Sequence, residues 1–221
     1  MATIHPLERY GKIDDTFMSR EMPSKRKYEL KKRGEQVGQT RLRITEAAIE
    51  LHGTVGPSRT TMSAVAERAG VERRTLYRHF PNEADLFVAC STHYFSANPW
   101  PDPGDWRAIR DPHQRLERAL DELYAYYERT EPMLSNALRD AELVDSARDA
   151  VAPLHAYLEE VAEILIIGRR ARGRRRQLVE GALRHALAFS TWRSLSTNGI
   201  GRSDATQLSA ALVEAATGDS G

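Results

Sequence analysis

Thr61-Met62-Ser63-Ala64-Val65-Ala66-Glu67-Arg68-Ala69-Gly70-Val71-Glu72-Arg73-Arg74-Thr75-Leu76-Tyr77-Arg78-His79-Phe80 decides the fold of this chain. Met62, Val65, Ala66 and Ala69 share one face of a short helix, which Thr60-Thr61 can cap. Leu76 and Phe80 point inward from a second helix that starts near Glu72. Gly70 supplies the positive φ of a three-residue turn, and Ala66 is small enough for the two helices to cross closely. Val71 and Leu76 then fill the space between them. The second helix keeps an outward face rich in donors: Arg73, Arg74, Thr75, Tyr77, Arg78 and His79. This spacing predicts a helix-turn-helix whose second helix suits the DNA major groove. In its first turn, Arg73 or Arg74 can fork onto guanine O6 and N7, and Thr75 can meet a thymine methyl. Tyr77 and His79 are placed for phosphates, as is the preceding helix N-terminus at Thr60 and Thr61.

Working outward, Ile44, Ala47, Ala48 and Leu51 mark an earlier helix, which Gly53 and Gly56-Pro57 end. On the other side, Pro81-Asn82-Glu83-Ala84-Asp85 opens another helix, with Asn82 as cap and Asp85 as the acid of a capping box. These elements make a DNA-binding domain over residues 39–94. Residues 1–38 precede it as a basic, partly disordered extension with the run Lys25-Arg26-Lys27-Tyr28-Glu29-Leu30-Lys31-Lys32-Arg33. That run reads equally as a solvated, frayed helix or as an arm on a phosphate backbone. Met18 and Met22 are alternative translation starts to Met1.

Residues 95–110 hold three prolines and two tryptophans, Trp100 and Trp106, and read as a stiff, non-helical linker. Residues 111–217 read as long helices: one from Asp111-Pro112 to a break at Pro132, then Met133 to Leu143, Ser146 to Ile167, Gln177 to Leu195 and Ser203 to Ala216. No stretch alternates as a strand would. The expected fold is all-α: an N-terminal three-helix helix-turn-helix bundle followed by a helical effector-binding and dimerisation domain.

Composition narrows the classes. The 221 residues carry 32 basic and 31 acidic side chains, for a net charge of +1. Divided along the chain, the balance is +4 for residues 1–90, −6 for 91–170 and +3 for 171–221. The average conceals a basic front, and a binding footprint is local. The single cysteine, Cys90, excludes an intramolecular disulfide framework and a multi-cysteine metal site. The longest aliphatic run, Ile164-Leu165-Ile166-Ile167, is far short of the roughly 18 apolar residues of a membrane helix. The N-terminus has no apolar secretion segment. These features predict a cytoplasmic protein with no membrane partner.

From Arg43 to Leu86 the sequence closely resembles the tetracycline-repressor (TetR) family of bacterial transcription regulators. The resemblance rests on Ala47-Ala48, Thr60-Thr61-Met62, Val65 to Val71, Thr75 to Phe80 and Leu86-Phe87. It implies that double-stranded operator DNA is bound through Arg43, Thr60, Thr61, Arg73, Arg74, Thr75, Tyr77, Arg78 and His79. It further implies a homodimer, and a repressor released by a small-molecule effector. Two positions depart from the family pattern. Glu72 stands where Ser or Thr usually caps the recognition helix, and Glu83 where Lys usually touches phosphate. A carboxylate there favours the helix dipole but repels phosphate. Modest DNA affinity, or compensation by the basic arm, follows.

The helix from Leu178 to Leu195 is apolar on two sides, as a helix buried on two sides should be. Leu183, Leu187, Leu208 and Leu212 are the expected dimer contacts near a two-fold axis. Tyr124, Tyr127, Met133, His155, His185 and Trp192 are the expected effector-lining residues, although aromatic residues at helical spacing are more often core, and His185 more often a satisfied core histidine. Arg169 to Arg176 reads as an exposed loop. No metal site, cofactor or catalytic constellation is expected. There is no Gly-rich phosphate loop and no His-x-x-x-His pair, and Cys90 with His93 lacks an orienting acid. The alternative reading is a DNA-binding structural or regulatory protein of the same fold without an effector.

Overall fold

The computed structural model describes residues 23–218, in which helices account for all the regular structure. In order they are α1 (Pro23–Thr54), a 3₁₀ turn (Pro57–Arg59), α2 (Met62–Arg68), α3 (Arg73–His79), α4 (Glu83–Ala97) and α5 (Pro103–Arg107). They continue with α6 (Pro112–Asp140), α7 (Asp145–Leu165), α8 (Gly173–Leu187), α9 (Phe189–Thr197) and α10 (Arg202–Thr217). Residues 1–22, with Met18 and Met22, lie outside the described residues, as do 219–221. The chain divides into two compact units, Met1–Leu42 and Arg43–Gly221. Of the first unit, residues 23–42 are helical rather than irregular, and Tyr28, Leu30 and Val37 are exposed along that helix.

The second unit holds two apolar clusters. The smaller joins Ile44, Ala48, Val65, Ala66, Leu76, Phe80, Leu86 and Cys90 from α1 to α4. The larger is built on α6, whose Leu116, Leu120, Leu123, Tyr124 and Tyr127 are fully buried against α7, α8 and α10. Caps follow the local sequence. Thr61, Asn82 and Asp111 each accept a hydrogen bond from a backbone N–H three residues on, at 3.1, 2.8 and 2.8 Å. The buried guanidinium of Arg115 donates to the carbonyls of Ile164 and Ile167 at 3.1 and 2.8 Å and so satisfies the C-terminus of α7.

Three helical expectations are corrected. Pro132 does not break α6, which runs unbroken to Asp140. The proline ring sits on the exposed side, and burial of α6 before and after it outweighs a penalty of about 3 kcal/mol. The helix expected over Gln177 to Leu195 is two helices, because Ala188 is extended (φ −67°, ψ 134°). The Pro/Trp segment contains α5, and Trp106 is fully buried with its indole N–H donating to Glu122 at 2.8 Å.

Candidate nucleic-acid interface

The turn between α2 and α3 forms as its residues require. Gly70 has φ 62°, and a Cβ there would meet no atom within 4 Å. Glycine is thus needed for backbone conformation and not for room. The N–H groups of Gly70 and Val71 close the turn on the carbonyls of Glu67 and Ala66, both at 3.0 Å. Val65, Ala66, Leu76 and Phe80 are buried beneath it, and Val71 is half-buried. Arg68 forms an ion pair with Glu50 that ties α2 to α1.

What remains outward on α3 is the predicted donor face. Arg73, Arg74, Tyr77 and Arg78 are exposed, while Thr75 and His79 are half-buried. The Arg73 guanidinium lies 6.0 Å from the Tyr77 ring centroid, at the outer limit of a cation–π contact. Glu72 holds the cap position of α3 without a side-chain hydrogen bond, so the first backbone N–H groups of α3 lack the usual hydroxyl partner. Glu83 is exposed in the first turn of α4. Arg43 is exposed on α1 and Thr61 at the start of α2. Thr60 must be corrected: it is buried, and its hydroxyl donates to the Gly56 carbonyl at 2.8 Å, closing the 3₁₀ turn. Only Thr61 of the pair stands at the helix entrance.

A polar clamp that sequence reasoning missed fixes that turn. Asp140, the last residue of α6, is fully buried and accepts from the Ser58 N–H at 2.9 Å and from Arg139 Nε at 2.7 Å. Arg139 also donates to the Val55 carbonyl at 3.2 Å and to Asn136 at 2.9 Å. Asn136 in turn donates to the carbonyls of His52 and Gly53, both at 3.0 Å. Burial opposes ionisation of Asp140, but the bonds from Arg139 and Ser58 prevail and hold its pKa at about 2. Gly56 (φ 95°) allows this approach, since a Cβ there would collide with the Arg139 guanidinium and the Asp140 carboxylate. The end of α6 therefore grips the end of α1 and the turn that leads into α2. No local signal marks these contacts, because the partners lie 82 to 84 residues apart.

The predicted effector residues do not gather in one place. Tyr124 and Tyr127 are core: their hydroxyls donate to the carbonyls of Ala186 at 2.8 Å and Leu187 at 2.6 Å, and Trp192 is buried with them. Neither of these two hydroxyls is left for a ligand. Met133 lines an apolar cavity of about 40 Å³ with Ile49, Phe87, Cys90 and Val151, room for a water or two and not for an effector. There His52 packs 3.6 Å from Cys90 Sγ; burial depresses the His52 pKa to about 4 and lifts the Cys90 thiol to about 12. His155 lines an open groove of about 460 Å³ between α6, α7 and the start of α9. His185 is exposed, not a core histidine.

The expected dimer contacts also divide. Leu183 and Leu187 are buried in the chain's own core. Leu208 and Leu212 are exposed on α10, and Leu178 is exposed on the neighbouring α8. Sequence pattern puts the wrong stripe of α8 outward because both stripes are equally apolar. In the cluster from Arg169 to Arg176, Arg169 is structural: its side chain is buried and paired with Glu214 at 2.8 Å. Among the described residues, no helix is long and apolar enough to cross a membrane, and no three His, Cys, Asp or Glu side chains cluster as a metal site would require.

Residues 44–90 match the family model for bacterial regulatory proteins, tetR family. The chain is 32% identical over 131 residues to the HTH-type transcriptional repressor KstR of Rhodococcus jostii (strain RHA1), covering 57% of this chain and 55% of that protein. It is 44% identical over 55 residues to the HTH-type transcriptional regulator TtgR of Pseudomonas putida, covering 25% and 26%. It thus spans about half of the first relative and a quarter of the second. A TetR-like transcriptional regulator from Rhodococcus sp. RHA1 shares the fold, with a TM-score of 0.61 at 16% identity over 81% of this chain and 96% of that one.

Proposed function

We propose, for a chain whose residues 44–90 match the family model for bacterial regulatory proteins, tetR family, that it is a sequence-specific DNA-binding transcriptional repressor. The observation that carries this reading is the donor face of α3. Arg73, Arg74, Tyr77 and Arg78 stand exposed on a helix whose opposite side is anchored by fully buried Leu76, with Phe80 fully buried at its C-cap. Arg73 and Arg74 read base edges, while Thr61, Tyr77 and Arg43 meet phosphates. Thr75 and His79, half-buried, contribute at the edge of the face. Glu72 and Glu83 lower the sequence-independent part of the affinity. The basic residues from Lys25 to Arg33 supply compensating phosphate contacts.

The protein acts as a C2 homodimer through the exposed stripe of Leu178, Leu208 and Leu212. Two α3 helices on one duplex face then read half-sites about 34–36 Å apart, or further for an offset operator. An effector taken up by residues 111–217 shifts that spacing and releases DNA.

The test is a mobility shift with the intergenic DNA beside the protein's own gene at low salt. The wild type should bind, and the Arg73→Ala, Arg74→Ala variant should lose at least tenfold in affinity. Equal behaviour of the two proteins would remove the assignment. Deleting residues 1–33 should flatten the salt dependence of binding; an unchanged slope would remove the compensating arm.

A further inference from the structure

Beside the buried clamp lies a large groove between α6, α7 and the start of α9. Its volume, about 460 Å³, falls within the ~300–1,000 Å³ of small-molecule clefts. Leu154, Leu158 and Phe189 form an apolar floor, and the charged side chains that line it are Arg139 and Arg193, with His155 beside them and no carboxylate. Arg193 has its nearest acid, Glu131, at 3.8 Å, beyond hydrogen-bonding distance. Ser135 also lines the groove, and its Oγ is buried behind that surface without a hydrogen-bond partner. An apolar floor, a guanidinium (Arg193) whose ion-pair partner lies beyond hydrogen-bonding distance and an unsatisfied hydroxyl describe one ligand chemistry: an aliphatic body with an anionic head.

We propose that this groove binds an amphipathic carboxylic acid, its chain on Leu154, Leu158 and Phe189 and its carboxylate drawn to Arg193 and Arg139. Arg139 belongs to two structures at once. It lines the groove, and it donates to Asp140 and the Val55 carbonyl in the clamp on the 3₁₀ turn. Its 3.2 Å bonds to Val55 and to Asp140 Oδ2 are the longest in that clamp and yield first to a competing carboxylate. Occupation of the groove thereby loosens the turn that leads into α2 and α3. This inference rests on the effector-release reading and names the ligand class and the residue that transmits its binding. Linkage requires that DNA weaken the acid's binding by the same factor by which the acid weakens DNA binding, typically about 5- to 150-fold.

The experiment is calorimetry on the full chain with dodecanoate, methyl dodecanoate and dodecylamine, followed by DNA-binding anisotropy with and without dodecanoate. Dodecanoate should bind, and the ester and amine should bind at least roughly tenfold more weakly. Arg193→Ala should weaken dodecanoate roughly tenfold or more, and Ala188→Trp, which fills the groove, should abolish binding, with thermal melts verifying that both variants fold. Equal binding of ester or amine, no binding of dodecanoate, or dodecanoate binding untouched by both variants overturns the site. Dodecanoate that binds but leaves DNA affinity unchanged overturns the transmission through Arg139. The calorimetry needs no DNA, so a ligand-free protein that fails to bind DNA counts against the proposed function alone.

Discussion

Asp140→Ala tests the clamp between α6 and the turn before α2. The carboxylate is fully buried and accepts three hydrogen bonds, one from Ser58 N–H and two from Arg139. Its removal strands the Ser58 N–H, but Arg139 is half exposed and regains water, so the penalty falls below the ~3–5 kcal/mol of a fully buried pair. The pKa agrees. A carboxyl lowered from 3.8 to about 2 is linked to about 2 kcal/mol of stability. The sign follows from the depressed value. The unfolded chain binds the proton first as pH falls, so the contribution is complete above about pH 5 and is lost as pH falls towards 2, with about half left near pH 3. Urea unfolding of both proteins at fixed concentration, followed by tryptophan fluorescence, should give a difference of about 2 kcal/mol at pH 7 that halves by pH 3. A difference under ~0.5 kcal/mol at pH 7, or one that does not change with pH, would refute the clamp.

Burial holds His52 at about 4, below its ordinary 6.5, so between these values the unfolded chain takes up a proton that the native protein refuses. Stability should therefore fall as pH drops from 6.5 towards 4, and the His52 ring signals in NMR should stay constant from pH 8 to 5.5; a midpoint near 6.5 would contradict its burial. Gly70→Ala should destabilise by about 1–2 kcal/mol through backbone strain alone, and Gly70→Asn by less, since Asn tolerates the left-handed region; identical losses in urea melts would show that crowding matters instead. Leu208→Glu with Leu212→Glu should convert a dimer to monomers in analytical ultracentrifugation with little change in helix content by circular dichroism. An unchanged sedimentation coefficient would move the interface away from α10.

The helix-turn-helix was legible because its contacts are local. The turn closes from Val71 back to Ala66, and a glycine at positive φ and a buried Leu76 have few alternatives at that spacing. The distal helices were less legible. α8 carries two apolar stripes, and only the packing of α6 and α10 decides that Leu183 goes inward and Leu178 outward. Tyr124 and Tyr127 look like pocket residues until the carbonyls of Ala186 and Leu187 are found at their hydroxyls. Pro132 looks like a stop, but the apolar face of α6 continues past it to Leu134. Asp140 and Ser58 carry no sign of each other at all, since their contact is a product of the finished fold.

The central claim is that α3 reads DNA sequence through its first turn. In vitro selection from a randomised duplex library tests it directly. Wild-type protein should enrich a two-fold symmetric motif, and the Arg73→Ala and Arg74→Ala variants should each relax the preference at one base position per half-site, at about 1–3 kcal/mol. An enriched motif that both variants reproduce unchanged, or no enrichment by the wild type, would contradict the account.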